Sequence, residues 1–110
     1  MADSDYTVVF VTVADADFAR VLGRTLVEEG LVACAQVIPG GTAIYRWGGE
    51  TQVEAMTQLI LKTRSRAWPG LMRRITELHS DEVPEILAVP VQAGLPAYLH
   101  WLEEAVPVAD

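Results

Sequence analysis

Two adjacent glycines, Gly48 and Gly49, separate two extended runs, and the second run is long for a chain of this size. Both central residues of a type I′ turn need positive φ. A Gly-Gly pair between residues 42–47 (TAIYRW) and residues 50–63 therefore predicts a two-residue β-hairpin. With Trp47 opposite Glu50, paired numbers sum to 97, which sets Ile38 opposite Leu59 and Cys34 opposite Thr63. Pro39, Gly40 and Gly41 can be absorbed as a bulge, shifting that register by a residue or more. The outgoing strand then runs far beyond the usual length of about 5–6 residues. Its half near Lys62 is apolar on both faces, and its half near Glu50 is less so. Such a strand overhangs a 110-residue domain. A second copy of the chain is the simplest cover for the overhang.

The remaining elements follow from periodicity. Residues 6–13 (YTVVFVTV) are apolar on both faces and β-branched, which predicts a central strand covered on two sides. A helix follows, capped by Asp15 or Asp17, with Phe18, Val21, Leu22 and Leu26 on its apolar stripe and Gly30 as its stop. Residues 31–38 (LVACAQVI) form a second strand, ended by Pro39-Gly40-Gly41. Trp68, Leu71, Met72, Ile75 and Leu78 mark an amphipathic helix, with Pro69 in its first turn. Residues 83–91 (VPEILAVPV) read as a further strand, and Pro90 assigns it to a sheet edge. Leu95, Tyr98, Leu99, Leu102 and Val106 mark a last helix opened by Pro96. The order βαββαβ plus a terminal helix predicts an α+β, ferredoxin-like sandwich with a long central hairpin, in one domain spanning residues 1–110. Two helices cover one sheet face and leave the other bare for subunit packing. Trp101 lies off its helix's apolar stripe, either as an interface residue or as a partly exposed Trp.

Composition narrows the function classes. The net charge is −7, which makes nucleic acid and anionic membrane poor partners and metal cations better ones. One cysteine permits no internal disulfide, the start is acidic where a secretory leader is basic, and no apolar run approaches a membrane span. The expectation is a soluble, cytoplasmic protein. No nucleophile with a base at motif spacing appears, and the glycine pairs precede strands rather than helices, so no enzyme is indicated.

Three clusters carry possible chemistry. His79, Asp81, Glu82 and Glu85 fall within seven residues, a donor set for a hard or borderline cation. His79 also continues the apolar stripe of its helix, which reads as a helix-end histidine near a carbonyl. Cys34 reads as an inert, buried strand thiol, or as a Cu(I) ligand completed by a second subunit or a methionine. Lys62, Arg64, Arg66, Arg73 and Arg74 hold five of the eight basic residues, either an anion site or a solvated face.

Taken together, residues 31–40 (LVACAQVIPG), Tyr45-Arg46-Trp47-Gly48-Gly49, Leu61-Lys62-Thr63, Leu78-His79, Glu82-Val83-Pro84-Glu85-Ile86 and Pro96-Ala97-Tyr98-Leu99 give the chain a specific likeness. It resembles the CutA divalent-cation tolerance family from residue 6 to about residue 106. The resemblance implies a PII-like, ferredoxin-like fold in a tight homotrimer, with hairpins packed across subunits, no required cofactor and no settled catalytic activity. It also implies association with divalent metal ions, copper in particular or zinc, and carries over Cys34, His79, Glu82 and Glu85 as metal candidates. The chain departs from the family pattern at Gln36, where Asn is usual. Ser80 and Asp81 replace a Pro-Tyr pair, and Met56 replaces a strand Glu. The rival readings are a PII-like regulatory module that binds a small anion or nucleotide at subunit clefts, and a purely structural trimeric scaffold.

Overall fold

A computed structural model describes residues 4–108. Residues 1–3, part of the acidic start noted above, lie outside that range. The elements are β1 (Tyr6–Val13), α1 (Ala16–Glu28), β2 (Cys34–Trp47), β3 (Glu50–Arg64), a 3₁₀ turn (Ser65–Ala67), α2 (Trp68–Leu78), β4 (Ile86–Pro90) and α3 (Pro96–Ala105). The four strands make one antiparallel sheet in the order β2-β3-β1-β4. This is the predicted α+β, ferredoxin-like arrangement, with β4 and its Pro90 at an edge.

The hairpin turns as expected: Gly48 and Gly49 have φ of +62° and +79°, and Trp47 pairs with Glu50. From Gly41 to Trp47 the register sums to 97. Beyond a bulge between Ile38 and Gly41 it slips by one, so Ile38 pairs with Gln58 and Cys34 with Lys62. β2 therefore does not stop at Pro39-Gly40-Gly41; it runs through them as one strand. β1 pairs with residues 57–64 of β3, so residues 50–56 pair with β2 alone. Those seven residues project about 23 Å beyond β1 at a strand rise near 3.3 Å.

Burial follows this division. On β3 the odd-numbered residues from Thr57 to Thr63 are buried, while most of residues 50–56 are exposed. Val9, Val11, Leu59 and Leu61 face α1 and α2, packing with Leu22, Leu26, Leu71 and Ile75. The other face of β1 is only half-buried in a single chain, against the expected two-sided cover. On α1, Ala19, Leu22, Gly23 and Leu26 are buried, whereas Val21 is 63% exposed. The helix sits close over β2 at Gly23, where an added Cβ would lie 3.0 Å from the Cβ of Ala35. That contact rotates Val21 outward.

The helix ends have clear causes. Asp15 caps α1 by accepting from the Asp17 N–H at 2.9 Å. Gly30, at φ +74°, closes it with a Schellman motif, Leu31 N–H to Leu26 C=O and Gly30 N–H to Val27 C=O, both 3.0 Å. α3 covers one end of the open face. It buries Leu102 and Val106 but leaves Leu95, at the other end of its predicted stripe, exposed. Tyr6 donates its hydroxyl to Glu103, and Arg64 Nη1 donates to the Val106 carbonyl at 3.2 Å. Trp101 is half exposed beside Tyr98, their ring centroids 5.5 Å apart.

Replacing Leu59 with Ala should lower unfolding free energy by about 2–5 kcal/mol, whereas Val21→Ser should change it by less than about 0.5 kcal/mol. Urea titration of both variants checks the assignment of the α1 face. The bond to Glu103, then partial burial and the charges of Glu103 and Asp5, hold the Tyr6 phenol above its usual value, with Arg64 opposing. The stabilising bond is therefore intact below the ordinary phenol value near 10 and lost as pH rises through the raised one. Ultraviolet titration should find Tyr6 ionising late, and Glu103→Gln should bring it back toward that ordinary value.

Candidate functional site

The overhanging hairpin forms one wall of a groove, and residues 80–85, between α2 and β4, form the other. The cavity between them has a volume of about 1160 Å³. Tyr45, Trp47, Glu54 and Met56 line it from the hairpin, and Asp81, Glu82 and Glu85 from the connector. Tyr45 pairs with Gln52, so Glu54 is its diagonal neighbour on the same face of the ribbon. A hydrogen bond to Glu54 is the main cause holding the Tyr45 phenol above its ordinary value, followed by burial and the charges of Glu54 and Asp81. Two walls thus act on one hydroxyl. Met56 packs against the bulge: a Cβ on Gly41 would lie 2.5 Å from its sulfur, so a side chain there would push the Met56 thioether aside.

Thr12, near the end of β1, pins the connector at both ends. Its N–H donates to the Glu85 carbonyl at 3.3 Å, and its hydroxyl donates to Glu85 Oε2 at 2.9 Å. Its own carbonyl lies 3.0 Å from His79 Nε2. The Asp81 N–H donates to His79 Nδ1 at 2.9 Å. Since Nδ1 accepts and a carbonyl can only accept, the ring must be neutral with its proton on Nε2. The imidazole is 8% exposed and meets the Phe18 ring edge-on, centroids 6.1 Å apart.

These bonds redraw the metal candidates. His79 has no free lone pair while both stand, so it is the helix-end histidine bonded to a carbonyl and not an open ligand. Glu82 and Glu85 do line the groove together. Cys34 does not join them. It pairs with Lys62, which pairs in turn with Val8, whereas Glu85 is bonded to Thr12, four residues further along β1. That separates them by roughly 13 Å along the strand direction alone. Cys34 is half-buried rather than sealed, because it lies on the sheet face that the two large helices leave open. Among the described residues, no three His, Cys, Asp or Glu side chains gather closely enough to enclose a metal ion.

The basic cluster disperses. Arg74 forms a two-pronged bond to Glu29 at 2.8 and 2.7 Å, lowering the Glu29 carboxyl below its ordinary range, and Arg64 turns to Val106. Lys62 points at α3, its ammonium 5.8 Å from the Tyr98 ring centroid, and not into the acidic groove. His100 and Glu104 form an exposed pair at 2.8 Å, as expected of a helix surface. The residues missing from the sequence reading are Thr12, Tyr45 and Glu54. The hairpin register already made Tyr45 and Glu54 diagonal neighbours, but nothing local tied Thr12 to a connector some 70 residues away.

Residues 7–105 match the family described as CutA1 divalent ion tolerance protein. A Thermus thermophilus protein named divalent-cation tolerance protein CutA is 44% identical over 97 residues, covering 88% of this chain and 94% of its own. Mouse protein CutA is 37% identical over 86% of this chain, which spans about half of the mouse protein's length. Among solved structures, CutA1 from Oryza sativa superposes with a TM-score of 0.93 at 32% identity, covering 97% of this chain and 98% of its own. CutA from Xylella fastidiosa superposes at 0.90 with 36% identity, covering 94% and 99%. On the family match and these identities, the chain belongs to the CutA1 divalent ion tolerance family.

Proposed function

We propose that this one-domain chain acts in divalent-cation tolerance as a non-catalytic homotrimer, and that its acid-lined groove receives copper, zinc or a similar divalent ion. The observation that carries the reading is the groove's charge. Glu54, Asp81, Glu82 and Glu85 line it, and among the described residues no lysine or arginine does. Four carboxylates with no countercharge favour a cation on Coulombic grounds and repel the phosphates of a nucleotide. Glu82 and Glu85 are the ligands we assign, both oxygen donors suited to a hard or borderline metal. Two carboxylates leave much of a coordination sphere open, to be completed by water or by a neighbouring copy.

The trimer is supported by unpaid apolar exposure. Ile38, Leu87 and Val89 are 49%, 59% and 47% exposed on the open side of the sheet, and Ile44, Trp47 and Val53 are bare on the hairpin. Contiguous apolar surface of this kind marks protein contact. The anion-binding alternative loses its motive once Arg74, Arg64 and Lys62 turn to Glu29, Val106 and Tyr98. The lone cysteine, with no disulfide partner in the chain, supports a reducing, cytoplasmic setting.

Light scattering should give a particle of three 12.0 kDa chains, and a stable monomer at micromolar concentration would overturn the assembly. Titration calorimetry should detect Cu²⁺ or Zn²⁺ but not ATP. The double substitution Glu82→Gln, Glu85→Gln should weaken cation binding about tenfold, ~1.4 kcal/mol, with the trimer retained. Unchanged affinity would remove the groove from the binding site.

A further inference from the structure

We propose that His79 is a proton-released clasp that holds the acidic connector closed when neutral and frees it when protonated. This goes beyond the cation reading and does not require a cation in the groove. It rests on the accounting of ring nitrogens. His79 Nδ1 accepts the Asp81 N–H, and Nε2–H donates to the Thr12 carbonyl. An imidazolium carries protons on both nitrogens, so it keeps the Thr12 bond but turns the Asp81 contact into two donors face to face. The protonated ring must swing out, or the connector must move away from it. Ser80, Asp81 and Glu82 are exposed, so the connector has few other contacts to lose, whereas Thr12 is fixed within the sheet.

The surrounding charges allow that transition. His79 caps the C-terminus of α2, its own N–H bonded to the Ile75 carbonyl. Asp81 is the charged residue bonded to it, through the backbone. On β1 the adjoining group is Thr12, whose hydroxyl holds Glu85. α1 presents the uncharged Phe18 ring, while the exposed Asp15 and Asp17 of that helix are committed to the Asp17 N–H and to Arg20. Protonation of the ring therefore costs the Asp81 bond. The clasp is closed while the ring is neutral and opens when the ring is protonated. Glu85, with two separate bonds to Thr12, keeps the far end of the connector attached, so the release is local.

Nitrogen-15 NMR of the imidazole, read together with amide-exchange protection on the full chain, tests this. The expected result is the Nε2–H tautomer at neutral and higher pH. On acidification the protection factor of the Asp81 amide should fall by about tenfold or more in step with imidazolium formation, while Val9 and Leu61 stay protected. His79→Gln keeps a donor for the Thr12 carbonyl without a titrating group, and should abolish the pH dependence of protection at residues 80–82. An imidazolium that forms while Asp81 stays protected overturns the clasp. So does an opening that persists in His79→Gln at the same pH, which would assign it to the carboxylates. The wild-type titration decides the question by itself if that variant does not fold.

Discussion

Everything distinctive about this chain depends on β3 being longer than the strand beside it. Along residues 57–64 it lies between β1 and β2, with its odd-numbered side chains sealed under two helices. Along residues 50–56 it has β2 alone, and most of its side chains are exposed. A two-stranded ribbon is marginal in water. This one is held out by continuity with a central strand of the core. The bulge between Ile38 and Gly41 keeps β2 paired over nearly the full length despite a proline, and Met56 fills the space that Gly41 leaves open. The projecting ribbon then supplies a groove wall that the compact half of the fold could not.

Much of this was legible because the deciding signals are local. Positive φ at Gly48 and Gly49, the Trp68 to Leu78 spacing and the capping aspartate Asp15 each act within a few residues, and each element lies where its signal put it. Errors arose where a distant contact overrides a local pattern. Pro39-Gly40-Gly41 is an equally good strand end and strand bulge, and only pairing with β3 decides between them. Val83 and Pro84 extend the apolar run of β4, yet the ladder begins at Ile86, since Glu85 anchors its side chain and carbonyl on Thr12 instead. Val21 has the right spacing for the α1 stripe, but the close approach of Gly23 to Ala35 rotates it outward.

The candidate site was less legible for the same reason. Its donor residues cluster in sequence, but what each can do is set by partners far along the chain. His79 reads from sequence either as a ligand beside three carboxylates or as a helix-end histidine. Its two nitrogens are consumed by Thr12, 67 positions away, and by a backbone N–H of its own loop. Five basic residues read either as an anion site or as a solvated face, and the fold sends three of them to separate partners. Glu82 and Glu85 both line the groove, Glu85 with one carboxylate oxygen already accepting from the Thr12 hydroxyl.

Charge and exposure then divide the molecule's surface into two kinds of unfinished business. The open sheet face and the hairpin flanks expose apolar side chains, while the groove is acidic and, among the described residues, has no lysine or arginine in its lining. The two are adjacent: Thr12, Gln58 and Glu85 lie at the edge of the bare face and also line the groove. Any copy that covers Phe10, Ile60 and Leu87 must therefore come up against the carboxylates. A neighbour that presents apolar side chains there would strip water from Glu54 and Glu85 without replacing its hydrogen bonds, at a cost of several kcal/mol for each buried ion. Assembly is thus favourable only if the acid-lined end stays wet or is neutralised. In the proposed trimer, that requirement would make the groove the part of the interface most sensitive to what fills it, and would tie a bound cation to the geometry of the assembly.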